Sequence, residues 1–104
     1  MAQNANPDAD ASRKPATKFL AVSQNTGDPT PYAEAEAART AELQKEGLIE
    51  LALLKADLSG AVFLLRAADL ASARKTLDSL PLVVHGITSF ELTGVVSFGT
   101  LPGW

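Results

Sequence analysis

Residues 48–67 read LIELALLKADLSGAVFLLRA, a mostly apolar run whose reading decides the fold. Its length is on the scale of a membrane-spanning helix. Glu50, Lys55, Asp57 and Arg66 interrupt it, however, and the segment DLSG at 57–60 supplies turn chemistry at its centre. The run therefore predicts a β-hairpin, with strands over 48–55 and 61–67. The second of them, AVFLLRA, is apolar on both alternations and so predicts a strand covered on both faces.

Upstream, KFLAVSQ at 18–24 has the same property, with Phe19 and Ala21 on one side and Leu20 and Val22 on the other. The following NTGDPTP is a turn-rich loop, and Thr30 followed by Pro31 is a helix-start signal. A first helix then runs through YAEAEAARTAELQKE, residues 32–46, and Gly47 can take the left-handed conformation that ends it. Its charges, Glu34, Glu36, Arg39, Glu42, Lys45 and Glu46, read as a solvated face with local pairs.

Downstream, Asp69 is a good N-cap, and Leu70, Ala73, Leu77 and Leu80 fall on one face of a second helix that Pro81 closes. The last strand lies within GITSFELTGVVSF at 86–98, where Gly94 allows a bulge or bend. The order is β-α-β-β-α-β, an α+β ferredoxin-like arrangement in which a four-stranded antiparallel sheet carries both helices on one face. Two helices cover only one side, so the doubly apolar strands leave an exposed apolar sheet face. The economical cover is a second copy of the chain, which predicts a homodimer.

The 104 residues suffice for one domain, read here as 18–98, with a flexible polar tail over 1–17 and a short C-terminal tail over 99–104. The N-terminal MAQNANPDADASRKPAT has no apolar run that would serve as a signal segment, which predicts a cytoplasmic protein with no membrane partner. With no cysteine and one histidine, disulfides, thiol nucleophiles and protein-made transition-metal sites drop out of consideration. A net charge of -3 without a basic cluster argues against nucleic acid as a partner. No phosphate-binding loop or nucleophile motif is present, so cofactor-free chemistry or simple binding of a small molecule remains.

The stretch GLIELALLKADLSGAVFLLRAADLASARKTLDSLPLVVHGITSFELTGV, residues 47–95, resembles the muconolactone isomerase-like proteins of the dimeric α+β barrel superfamily. LDSLPL followed by the strand ITSFELTGV carries most of the likeness, with FLAVS at the start adding to it. The resemblance implies a dimeric barrel, sometimes assembled into larger rings, with a pocket in each subunit. It further implies a proton shift within an unsaturated lactone of aromatic catabolism, with no metal or organic cofactor. The same superfamily includes cofactor-free monooxygenases, polyketide cyclases and proteins without known activity, so a monooxygenase or a non-catalytic binding or assembly domain stays open. Two departures are the long polar N-terminus and the histidine before the last strand, and no catalytic motif transfers residue by residue.

Proton-shift chemistry needs a base, an acid and donors for the developing enolate. His85 is the first candidate proton carrier, because imidazole exchanges protons near neutrality and this one sits just before the last strand. Its alternative is a solvated loop histidine. Glu50 interrupts an apolar strand and would be a base if buried, or one half of an ion pair if near an edge. Arg66 would pair with Glu50 across the hairpin or anchor a substrate oxyanion. Tyr32 and Ser23 flank one loop and would offer hydroxyls to a small polar ligand, and Glu91 reads as an ordinary strand charge. Phe19, Phe63, Phe90 and Phe98 read as core or dimer contacts, and Trp104 as an arm laid on a partner subunit.

Overall fold

Asp57 turns the chain at the point where the apolar run had to break. Its carboxylate accepts from the Ser59 N–H at 3.0 Å and from the Ser59 hydroxyl at 2.7 Å. Leu58, between them, adopts a left-handed φ of 63°. The computed structural model describes residues 17–96. Within them the order is β1 (Lys18–Asn25), a 3-10 turn (Thr30–Tyr32), α1 (Ala33–Lys45), β2 (Ile49–Leu54), β3 (Ala61–Arg66), α2 (Leu70–Asp78), α3 (Pro81–Val84) and β4 (Thr88–Val95). The tail read over 1–17 lies outside the described residues except for Thr17, as do Phe98, Trp104 and the tail over 99–104.

The four strands form one antiparallel sheet in the order β2-β3-β1-β4, an α+β architecture. One sheet face packs on the helices. Phe19 and Ala21 of β1, Phe63 and Leu65 of β3 and Phe90 of β4 join Leu43 of α1 and Ala73 and Leu77 of α2 in a single buried cluster. Ala21 is small, and the rings of Phe63 and Phe90 meet at 5.5 Å from the two strands that flank β1. Full burial of such side chains contributes about 1.5–3 kcal/mol each relative to exposure.

Among the described residues no helix lies on the opposite face. Leu20, Leu51 and Leu53 are exposed there to 37%, 49% and 50%, and Val22, Val62 and Leu64 are partly buried between them. Cross-strand register groups these side chains, with Leu51 beside Leu64 and Leu20 in one row and Leu53 beside Val62 and Val22 in the next. Both alternations of β1 and β3 are thus apolar for different reasons: one side is core, the other a patch that no described helix covers.

Asp69 caps α2 as its position predicts, accepting from the Ser72 N–H at 2.8 Å, an interaction worth about 1 kcal/mol. Pro81 does not close that helix. α2 stops at Asp78, Leu80 is extended (φ -76°, ψ 134°) as a residue before proline must be, and Pro81 opens the short α3. Leu80 is nevertheless fully buried. The first helix likewise starts after a 3-10 turn that holds Pro31, with Tyr32 as its N-cap. Gly94 carries no bulge, because the β1–β4 ladder runs unbroken from Asn25↔Thr88 to Lys18↔Val95. The irregularity falls instead on β2, where the register jumps between Ile49 and Leu51 and leaves Glu50 as an extra residue.

Candidate functional site

Between the helix-bearing face of the sheet and the first turns of α1 lies a cavity of about 330 Å³. The β2–β3 turn closes one side of it by fastening to the end of β1. The Asn25 N–H donates to the Ser59 carbonyl at 2.7 Å and the Ala61 N–H to the Ser23 hydroxyl at 2.8 Å. This contact requires glycine at position 60, since a Cβ there would collide with the Ser23 backbone carbonyl. Leu54, Leu58, Leu82 and Phe90 give the walls their apolar character. A neighbouring hollow of about 290 Å³ between α1 and β2 shares Ala37 and Leu54 with it.

Four polar residues line this wall: Ser23, Asn25, Glu36 and Thr88. Glu36 projects from α1 and accepts from the Leu82 N–H of α3 at 2.9 Å. Burial pushes its carboxyl above the ordinary glutamate value of 4.5, and the Leu82 hydrogen bond offsets only part of that effect. Ser23 is 2% exposed, and because its oxygen accepts from Ala61 its own proton remains available for donation. Thr88 is 5% exposed, and its Oγ1 has no hydrogen-bond partner. A buried hydroxyl in that condition costs about 1–3 kcal/mol.

Of the candidate catalytic and binding residues His85, Glu50, Arg66, Tyr32 and Ser23, Ser23 alone lines this cavity. His85 caps the C-terminus of α3 with its ring exposed and stacked on Tyr32, centroids 4.1 Å apart and planes 14° from parallel. The pair is brought together, but neither ring is among the lining side chains. Glu50 and Arg66 also meet, at 3.0 Å, and Lys18 of β1 joins them at 3.0 Å from the other carboxylate oxygen. Burial alone would raise Glu50, but the hydrogen bonds and charges of Lys18 and Arg66 outweigh it and hold the carboxyl below its ordinary value. A carboxylate so held is a weak base, and it stands away from the cavity at one end of the sheet.

Glu36 was grouped by its sequence with the solvated charges of α1. Its spacing carries the contrary signal: it precedes the buried Leu43 by two helical turns and so shares its face. Among the described residues no group of three or more His, Cys, Asp or Glu side chains is placed to hold a metal ion, and no helix is long and apolar enough to cross a membrane. No protein-family model, no curated protein and no solved structure matches the chain.

Proposed function

We propose that this protein is a muconolactone isomerase-like, cofactor-independent isomerase that shifts a proton within a small unsaturated molecule bound in the cavity. The observation that carries the reading is the half-buried carboxyl of Glu36 on a mostly apolar wall that Ser23 also lines. A raised carboxyl is the stronger base when ionised and a ready acid when protonated. Glu36 takes a proton from carbon and returns it to a second carbon of the same molecule, so the reaction is redox-neutral and balanced within the substrate. The Ser23 hydroxyl donates to the enolate oxygen that develops in between. In this reading the proton carrier is Glu36 in place of His85, whose ring lies off the cavity.

The strand and helix order, with sheet order β2-β3-β1-β4, supports a ferredoxin-like fold. The uncovered patch of Leu20, Leu51 and Leu53 supports pairing of two such sheets as a dimeric α+β barrel.

The test is isotope exchange. Small cyclic enones and unsaturated lactones are incubated with the protein in deuterated buffer, and loss of carbon-bound protons is followed by NMR. Enzyme-dependent exchange that Glu36→Gln abolishes supports the isomerase. Exchange that survives in that variant removes Glu36 from the role, and oxygen consumption would indicate monooxygenase chemistry instead. A second reading, a binding domain without turnover, draws on the bond from Leu82 N–H that already occupies one Glu36 oxygen. Saturable binding with no exchange on any substrate would select it.

A further inference from the structure

Taking the cavity as the ligand site, as just proposed, its continuation along α1 and β2 bears on the shape of what it holds. The cavity reaches Glu36 and Ala37 on α1 and Leu54 on β2, and the neighbouring hollow of about 290 Å³ runs on from Ala37 to Thr40 and from Leu54 back to Ala52. The two elements thus frame one seam, which extends beyond Glu36 by about one helical turn, roughly 5 Å. It stays open because its walls are small: Ala37 and Ala52 stand where a close-packed helix and sheet would carry larger side chains. Leu54 lies between the two spaces. It pairs with Ala61 as Ala52 pairs with Phe63, which puts it on the helix-bearing side of the sheet, yet it is 72% exposed. Among the described residues none that lines the hollow is charged. Ligand pockets commonly span about 300–1,000 Å³, and a bare lactone ring would leave most of the joined space empty.

We infer that the cavity and the hollow form one two-part groove, and that its ligand is an unsaturated lactone or enone bearing a short apolar substituent. The ring lies beside Glu36 and Ser23, and the substituent passes over Ala37 and Leu54 to end against Thr40, Ala52 and Phe63. Covering Leu54 in this way removes apolar surface that the fold by itself leaves in water. The groove therefore favours substituted rings over bare ones, whatever polar groups the ring itself carries.

Two probes separate ring from substituent: γ-methyl and γ-pentyl butenolide, each titrated into the full chain while backbone amide signals are followed by NMR. The methyl probe is expected to shift Gly60 and Leu82, which line the cavity alone, and the pentyl probe to shift Thr40 and Ala52 as well, which line the hollow alone. A methylene wholly removed from water is worth up to about fourfold in affinity, so in a groove open on one side the pentyl probe should bind about tenfold more tightly or better. Thr40→Phe fills the hollow and should cut that advantage to about threefold or less while sparing the methyl probe. Should this variant fail to fold, the wild-type amide pattern alone decides. A pentyl probe that binds no tighter, leaves Thr40 and Ala52 unmoved or keeps its advantage in Thr40→Phe overturns the inference while leaving the cavity as a ligand site. So does a chain-length effect carried instead by the amides of Leu20 and Thr93, paired across the open face of the sheet. The expected pattern without isotope exchange upholds the groove and removes only the isomerase. If neither probe shifts Gly60 or Leu82, the inference and the ligand site fail together.

Discussion

The rings of Tyr32 and His85 stack at 4.1 Å and 14° from parallel, which ties the start of α1 to the end of α3. The chain's single histidine thus braces the two segments that carry Glu36 and its hydrogen-bond partner Leu82. His85→Ala is expected to lower stability by about 0.5–1.5 kcal/mol, the range for an aromatic pair. A double-mutant cycle with Tyr32→Leu should recover most of that loss as coupling between the two positions. Abolished isotope exchange in a well-folded His85→Ala would instead make the imidazole part of the chemistry.

Glu36 and Glu50 shift in opposite directions and so should give opposite pH dependences. Glu36 is raised in the folded state, so its contribution favours folding below 4.5 and is lost as pH rises through its folded value. Glu50 is lowered, so its contribution is present above 4.5 and lost as pH falls through its folded value. Denaturation of Glu50→Gln at neutral pH should show a loss of about 1 kcal/mol that vanishes in strong acid. Glu36→Gln should lose less at neutral pH than in acid. Parallel curves for the two variants would contradict this assignment.

Two hydroxyls on the same cavity wall should respond oppositely to removal. Ser23→Ala strips the Ala61 N–H of its acceptor and should cost about 1–3 kcal/mol. Thr88→Val removes a hydroxyl with no partner and should raise stability by about 1 kcal/mol in the absence of ligand. Urea denaturation midpoints of the two variants decide the matter, and a destabilised Thr88→Val would mean that the hydroxyl is satisfied in solution.

The open sheet face makes a prediction about assembly. Light scattering at micromolar concentration should give the mass of two chains, and Leu53→Glu on the β2 side of the patch should give one. Wild type running as a clean monomer would leave the patch without the proposed cover.

Much of the fold was legible because it rests on local pattern. The hairpin follows from a charge-interrupted apolar run with an Asx turn at its middle, and the α2 start follows from Asp69. Pro81 was ambiguous because proline both stops one helix and starts another, and the extended backbone of Leu80 after a helix that ends at Asp78 makes it a start. The pairing of Glu50 with Arg66 could be read across the hairpin, whereas Lys18 reaches Glu50 from a strand 32 residues away. The site was less legible for a related reason. A helix face made largely of alanine, as in α1, gives little contrast to mark Glu36 as inward-facing. Thr88 is an ordinary strand residue until the groups around it are known, since being unpartnered is a property of surroundings rather than of sequence.

The extra residue on β2 bears on how the two faces of the sheet came to be filled. With regular alternation, Ile49, Leu51 and Leu53 would share a side; the step at Glu50 keeps Ile49 in the core and turns Leu51 and Leu53 outward. The ladder pairs Ile49 with Leu65 and Leu51 with Leu64, so Glu50 has no partner position to vacate. Excising that one residue would leave each side chain of the strand on its present face and straighten the ladder. A deletion, ordinarily the most disruptive change a strand can suffer, should here remove the ion triad and spare the fold.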